Sequence, residues 1–334
     1  MTLTTLGDSA HLFSQSLQNF RLKTELNTLT ATLSTGEVQD KTKAMNGDTF
    51  QFTAIEHRLS IATTRVVHTV ETGTRLASMQ RTLDTITTQS GTLAESLITI
   101  NQDATQLQID IGAARALQTF ENTVNAFNVQ FAGQSLFAGT AVDQPALASP
   151  TDMLNDLVTS IGAATDAPTI QAAVANWFDD PTGGFSTIGY LGDTGDPVTR
   201  RLDDGTVITI NTRADNPELK AVLKAAATAA ITSQLSSISR QDQASLLFTG
   251  GVMLQATATD VATTQGALGV LEAEVERITV AQNAEISALT LARNEIANAD
   301  PFETASALQA VQLQLETHYQ MTARLSQLSL VNFI

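Results

Sequence analysis

The sequence predicts a mainly α fold: a long antiparallel helical core built from both chain ends (coiled-coil termini plus a helix bundle), with a small α+β insert domain. Three observations predict it. The seven prolines stand at 145, 150, 168, 181, 197, 217 and 301, so 1–144 and 218–300 contain none. Proline breaks helix interiors, and the map therefore reads helix, mixed segment, helix. Apolar residues in both proline-free stretches recur at steps of three and four, the spacing of a helix seam. Aromatic residues make up only 5% of the chain, with one Trp and two Tyr; Ala, Thr, Gln, Leu and Ser dominate instead, which suits long helices packed through small and branched side chains.

At the N-terminus Leu3, Leu6, Ala10, Phe13, Leu17 and Phe20 form a heptad seam. Leu22, Leu26, Leu29 and Leu33 continue it after a two-residue shift that moves the stripe to another face. Gly36 and Gly47 bracket a polar connector. A second stripe runs through Ile55, Leu59, Ala62, Val66, Val70, Leu76, Leu83, Ile86, Leu93 and Leu97, and Ile100, Leu107, Ile111 and Leu117 carry it on. Gly91 and Gly112 are the candidate breaks in this long helix. In the middle segment, "PVTRRLDDGTVITINTR" reads as a β-hairpin turning at Asp203-Asp204-Gly205. Trp177, Phe178, Phe185 and Tyr190 supply a small core for it.

Leu219, Leu223 and Ala226 then open a helical run, and Leu254 to Ile296 trace a second long one. "NADPFETASALQAV" marks the sharpest helix start in the chain: Asp300 as N-cap, Pro301 at the first helical position and Glu303 closing a capping box. Leu308, Val311, Leu315, Tyr319, Thr322, Leu325 and Leu328 make one stripe of the last helix, while Leu313, Met321 and Leu330 lie off it. The final nineteen residues carry only two charges, Glu316 and Arg324. A helix apolar on several sides must be covered on several sides. The N-terminal heptads are the first expected partner, and other copies of the molecule the next.

Composition narrows function. Eighteen basic against 34 acidic residues give a formal charge of -16, the wrong sign for nucleic acid, which needs clustered Lys and Arg. Absence of cysteine removes disulfides, thiolate zinc sites and thiol catalysis. Apolar residues are interleaved with Thr, Ser and Gln, so no membrane-spanning run is expected. The N-terminus lacks the basic start and apolar run of a cleaved secretory signal.

No constellation reads as catalytic, cofactor-binding or metal-binding. His11, His57, His68 and His318 are too far apart for one metal: His57 and His68 are about three turns apart on a helix. Gly189, Gly192 and Gly195 lack the strand-to-helix setting of a phosphate loop and read as turns. Asp179-Asp180 and Asp203-Asp204 could be acid–base pairs, but both sit beside Pro or Gly, where Asp favours turns.

Four stretches resemble the flagellin superfamily: "LTATLSTGEVQD" at 29–40, "AGQSLFAGT" at 132–140, "WFDDPTGGFSTIGYLGD" from Trp177, and "ARNEIANADPFETASALQAVQLQLETHYQMTARLSQLSLVNFI" at the end. Within it the layout looks like the hook-filament junction branch (hook-associated protein 3) of alphaproteobacterial type. "DKTKAMNGD" lacks that branch's Asp-Asp-Pro, and "LVNFI" lacks the Leu-Leu-Arg with which filament flagellins end.

The resemblance implies paired terminal helices facing the channel of an axial tube, a helical core around them and an insert facing outward. The expected segments are 1–45, 46–140, 141–217, 218–299 and 300–334. It also implies export through the flagellar type III apparatus, extracellular assembly in a ring, hook-associated protein 1 and flagellin as neighbours, and a cytoplasmic export chaperone at the C-terminal helix. The expected assembly interface is Leu3, Leu6, Phe13, Leu17, Phe20, Leu308, Val311, Leu315, Leu325, Leu328 and Leu330. A filament flagellin subunit is the alternative within the class, and a cytoplasmic signalling coiled coil such as a chemoreceptor's lies outside it. No enzyme activity, cofactor or metal is expected.

Overall fold

A computed structural model describes residues 6–45, 49–235 and 237–331. The fold is mainly helical, with two small antiparallel hairpins. In chain order the helices are α1 (Leu6–Thr35), α2 (Lys41–Ala44), α3 (Phe50–Ile98), α4 (Gln106–Phe127), α5 (Pro150–Ile161), α6 (Ala167–Asp179), α7 (Pro217–Ala230), α8 (Arg240–Ala297) and α9 (Pro301–Val331). The strands are β1 (Gln130–Phe131) paired with β2 (Gln134–Ser135), and β3 (Val198–Arg201) paired with β4 (Val207–Ile210). Two compact units emerge: residues 64–282, and residues 1–63 with 283–334.

The 64–282 unit holds a large apolar core. Leu76, Met79, Leu83, Ile86 and Leu97 of α3 are fully buried, as are Ala116, Phe120 and Phe127 of α4. Helix α4 lies against α7, whose Leu219, Leu223 and run Ala225–Ala230 are almost inaccessible. Alanine on every side of α7 lets neighbouring backbones close in. Gly250 and Gly251 on α8 do the same: a Cβ on Gly250 would lie 2.8 Å from Ala229 Cβ, and one on Gly251 2.8 Å from Leu97 Cβ.

The break between α3 and α4 falls at neither expected glycine. It lies at 99–105, where Thr105 Oγ1 accepts from Gln108 N–H at 3.3 Å and Gln108 Oε1 accepts from Thr105 N–H at 2.8 Å. This reciprocal capping box satisfies two otherwise orphaned donors and restarts the chain as a new helix. Gly112 sits inside α4 for contact reasons, since its Cβ would approach Ile100 Cδ1 to 2.5 Å.

Prolines in the middle segment open helices rather than only breaking them. Pro150 and Pro217 are first residues of α5 and α7, and Pro168 is the second of α6. Ser149 and Asp166 cap the first and last of these, accepting from Asp152 N–H at 3.1 Å and Thr169 N–H at 3.0 Å. The β3–β4 hairpin turns where the sequence places it, and its Asp203 and Asp204 carboxylates meet the Arg65 guanidinium at 3.1 and 2.6 Å. The β1–β2 hairpin was not legible. Its loop, Ala132-Gly133, has φ of 50° and 76°, the positive-φ pair a tight hairpin requires, yet alanine rather than Asn or Asp takes the first place. Buried Arg75 fastens this hairpin, donating to Ser135 O at 2.6 Å and Gln134 Oε1 at 3.2 Å.

Trp177, Phe178, Phe185 and Tyr190 do form a core, with Phe178 and Phe185 stacked at 5.4 Å and Trp177 edge-on to both. They belong to the same buried cluster as α3, α4, α7 and α8. Trp177 Nε1 donates to Asp156 Oδ2 at 2.6 Å. Gly184 is what allows this, because a Cβ there would sit 1.8 Å from Nε1.

Candidate assembly surface

The unit made of 1–63 and 283–334 is built differently. Helix α1 packs along α9, and this packing buries Leu22 and Val311. Leu26, Leu29, Leu308 and Leu315 are half-buried. The α1 side of the seam is thus the second leucine stripe. Phe13, Leu17 and Phe20 are exposed by 72%, 43% and 68%. The reason is angular. Each helical residue turns about 100°, so the two-residue shift between Phe20 and Leu22 rotates the stripe by about 200°, to the opposite face. Phe302, Leu313 and Met321 are likewise exposed on α9.

Leu3 lies outside the described residues, as do the side chains of Leu6, Leu325, Leu328 and Leu330. At the start of α9, Asp300 Oδ1 accepts from the N–H groups of Phe302 and Glu303 at 2.8 and 3.1 Å, and Pro301 is the first helical residue. A carboxylate at that end also meets the positive pole of the helix dipole.

The surface of the hairpin is polar in composition, and the hydroxyls of several of its threonines are bonded within their own helix. Thr24, Thr28, Thr30 and Thr35 of α1 donate their hydroxyls to the carbonyls four residues back, at 2.7–2.9 Å. Thr304, Thr317 and Thr322 do so on α9. A hydroxyl satisfied within its own helix can be covered by another chain without stranding a donor, which would otherwise cost about 1–3 kcal/mol. Such a surface can be buried although it is not oily. Beside the hairpin runs an open groove of about 870 Å³, bordered by Phe20, Thr24, Thr28, Val38, Asp300 and Thr304.

Where α1 ends, Gly36 takes φ +73° and the chain turns back. Val38 N–H donates to Ala297 O at 2.9 Å and Ala299 N–H to Gly36 O at 3.0 Å. Arg293 reaches Glu56 at 2.5 Å and Glu37 at 2.9 Å, and Lys41 meets Glu37 at 3.2 Å. The hydrogen bonds from Lys41 and then Arg293 hold the Glu37 carboxyl below its ordinary range.

The other candidate groups take structural places. Asp180 accepts from Thr182 N–H at 2.8 Å in a turn, and Asp179 pairs with Lys224 at 2.8 Å. Gly192 sits against Tyr190, where a Cβ would lie 2.4 Å from the hydroxyl. His57 and His68 are exposed on α3, His68 Nδ1 lying 3.8 Å from Glu71. His11's side chain lies outside the described residues, and His318 is half-buried on α9. Among the described residues no cluster of His, Asp and Glu could hold a metal ion, and no helix is long and apolar enough to cross a membrane.

Residues 252–334 match the family of the bacterial flagellin C-terminal helical region. No curated protein matches the chain. Among solved structures, one assigned as a flagellar hook-associated protein from Vibrio parahaemolyticus shares the fold, with a TM-score of 0.52 at 14% identity over 73% of this chain and 95% of that one. The C-terminal part of the chain is thus similar to the flagellin C-terminal helical region, and the chain's fold is shared with that solved structure.

Proposed function

We propose that this chain is the adapter that joins the flagellar hook to the filament, a non-enzymatic structural protein that assembles with copies of itself into a ring. The observation that carries the reading is the terminal hairpin. Its two helices bury one seam against each other and leave Phe13, Phe20, Phe302 and Leu313 in water. Apolar side chains placed on the outer faces of a paired hairpin fit neighbours in a tube, and in an assembled tube they would lose about 25 cal/mol of unfavourable hydration per Å² covered. On this reading the hook side is met through hook-associated protein 1 and the filament side through flagellin. The protein reaches its site outside the cell by the type III route, escorted by a chaperone on the C-terminal helix, and residues 141–217 face outward.

Flagella of a strain lacking the gene test this. Hooks without filaments, with flagellin shed into the medium, are the expected outcome. Loss of one filament species with other filaments intact would replace the adapter by a filament flagellin. Intact motility and morphology would reject both.

A further inference from the structure

We infer that Arg293 is a positioning residue: it is the pin of a polar clasp that sets the direction in which the α1–α9 hairpin leaves the neighbouring ends of α3 and α8 within the 1–63 and 283–334 unit. Its guanidinium bridges two carboxylates from separate elements, Nε to Glu56 on α3 at 2.5 Å and Nη2 to Glu37 in the connector after α1 at 2.9 Å. Lys41 holds the other oxygen of Glu37 at 3.2 Å and lies 5.0 Å above the Phe52 ring. The backbone completes the clasp through the antiparallel bridge of Glu37 with Asn298.

Little apolar burial assists at this place. Ala297 is inaccessible, but Val38 is only half-buried and the rest of 36–43 is half-buried or exposed. Direction here is therefore decided by charge and hydrogen bonds. The side chains of Arg293, Glu37 and Glu56 keep 24%, 33% and 41% of their exposure. Pairs so open to water are weak singly and screened by salt, so the clasp can open without unfolding the helices it joins. Arginine suits the task because its planar fork can engage two acceptors at once, whereas lysine offers one point charge. If the chain is a subunit between unlike neighbours, such a joint lets the hairpin adjust its angle to each; that purpose rests on the proposed function, but the clasp itself does not.

Hydrogen exchange of the full-length free chain tests the clasp without reference to flagella. In R293Q the amides of Val38 and Ala299 should exchange about tenfold faster, with α1 and α9 seam amides and those of 64–282 unchanged. R293K should fall between R293Q and the parent, and raised ionic strength should move the parent towards R293Q. Unchanged exchange at Val38 and Ala299 in R293Q would overturn the proposal, because the backbone bridge would then hold alone. Faster exchange spread evenly along the α1–α9 seam would also overturn it, since Arg293 would merely stabilise the whole unit. Full protection in R293K would remove the two-pronged role and leave only charge.

Discussion

Helices α4 and α9 start from similar means and end differently. Both begin at a side-chain cap and both carry an apolar stripe. Over 22 residues α4 buries Ile109, Gly112, Ala113, Ala116, Phe120, Thr123, Val124 and Phe127. Among its described side chains, the 31-residue α9 buries only Thr304 and Val311. The difference lies in the number of partners. Helix α4 belongs to a cluster that includes α3, α7 and α8, whereas α9 packs on α1, and two helices side by side can close only one seam. Length and apolar content do not make a core; a third and fourth neighbour do.

That comparison can be broken by substitution. Phe120→Ala empties a site that is 1% exposed and should cost about 3–5 kcal/mol, read as a lower denaturant midpoint for the 64–282 unit. A loss under about 1 kcal/mol would mean the core repacks freely and is looser than its burial suggests. Gly184→Ala drives a methyl into the Trp177–Asp156 hydrogen bond and should cost about 1–3 kcal/mol, with a changed Trp177 emission. Unchanged emission and stability would deny the close approach its role.

Smaller effects come from the caps. Hydrogen bonds from Thr169 hold the Asp166 carboxyl below its ordinary range, and those from Thr182 do the same for Asp180. A depressed folded value means stability that is present above the unfolded value and lost as the pH falls through the folded one. The 64–282 unit should therefore weaken as the pH drops past about 3.9, and Asp166→Asn should flatten that acid limb of a stability-against-pH curve. An identical curve would show the cap to be silent.

The least effect on the free chain should come from Phe13→Asp. With 72% of Phe13 in water, stability should stay within about 0.5 kcal/mol, while incorporation into the tube is abolished because every copy would bury an unpaired carboxylate. Normal incorporation would place the outer face of α1 away from any neighbour. Such a split, large effects on folding in one unit and on assembly in the other, is what the α4–α9 contrast predicts.

Much of this was legible in the residues themselves. The Asp300-Pro301 start, the Asp203-Asp204-Gly205 turn and the aromatic core of Trp177, Phe178, Phe185 and Tyr190 are local or compositional, and local chemistry is written in sequence order. The α3–α4 break is equally legible as Thr105-x-x-Gln108, a capping box in sequence order, whereas Gly91 and Gly112 both lie inside helices. Pro150, Pro168 and Pro217 could have been read as helix starts, as Pro301 was, from the Ser, Asp or Asn one or two residues ahead.

Other features needed the fold. Periodicity revealed two stripes on α1 but could not choose which of them α9 would cover, because a stripe records that something apolar is near and not what. Nor could it reveal that the alanines of α7 are buried on all sides, or that Arg293 meets carboxylates 237 and 256 positions away in the chain. Helix starts such as those at Thr105, Asp300 and Pro301 are written locally, in caps, prolines and turn residues acting within a few positions. Which faces meet is a property of the fold, because contact between distant segments depends on how many neighbours compete for the same apolar surface.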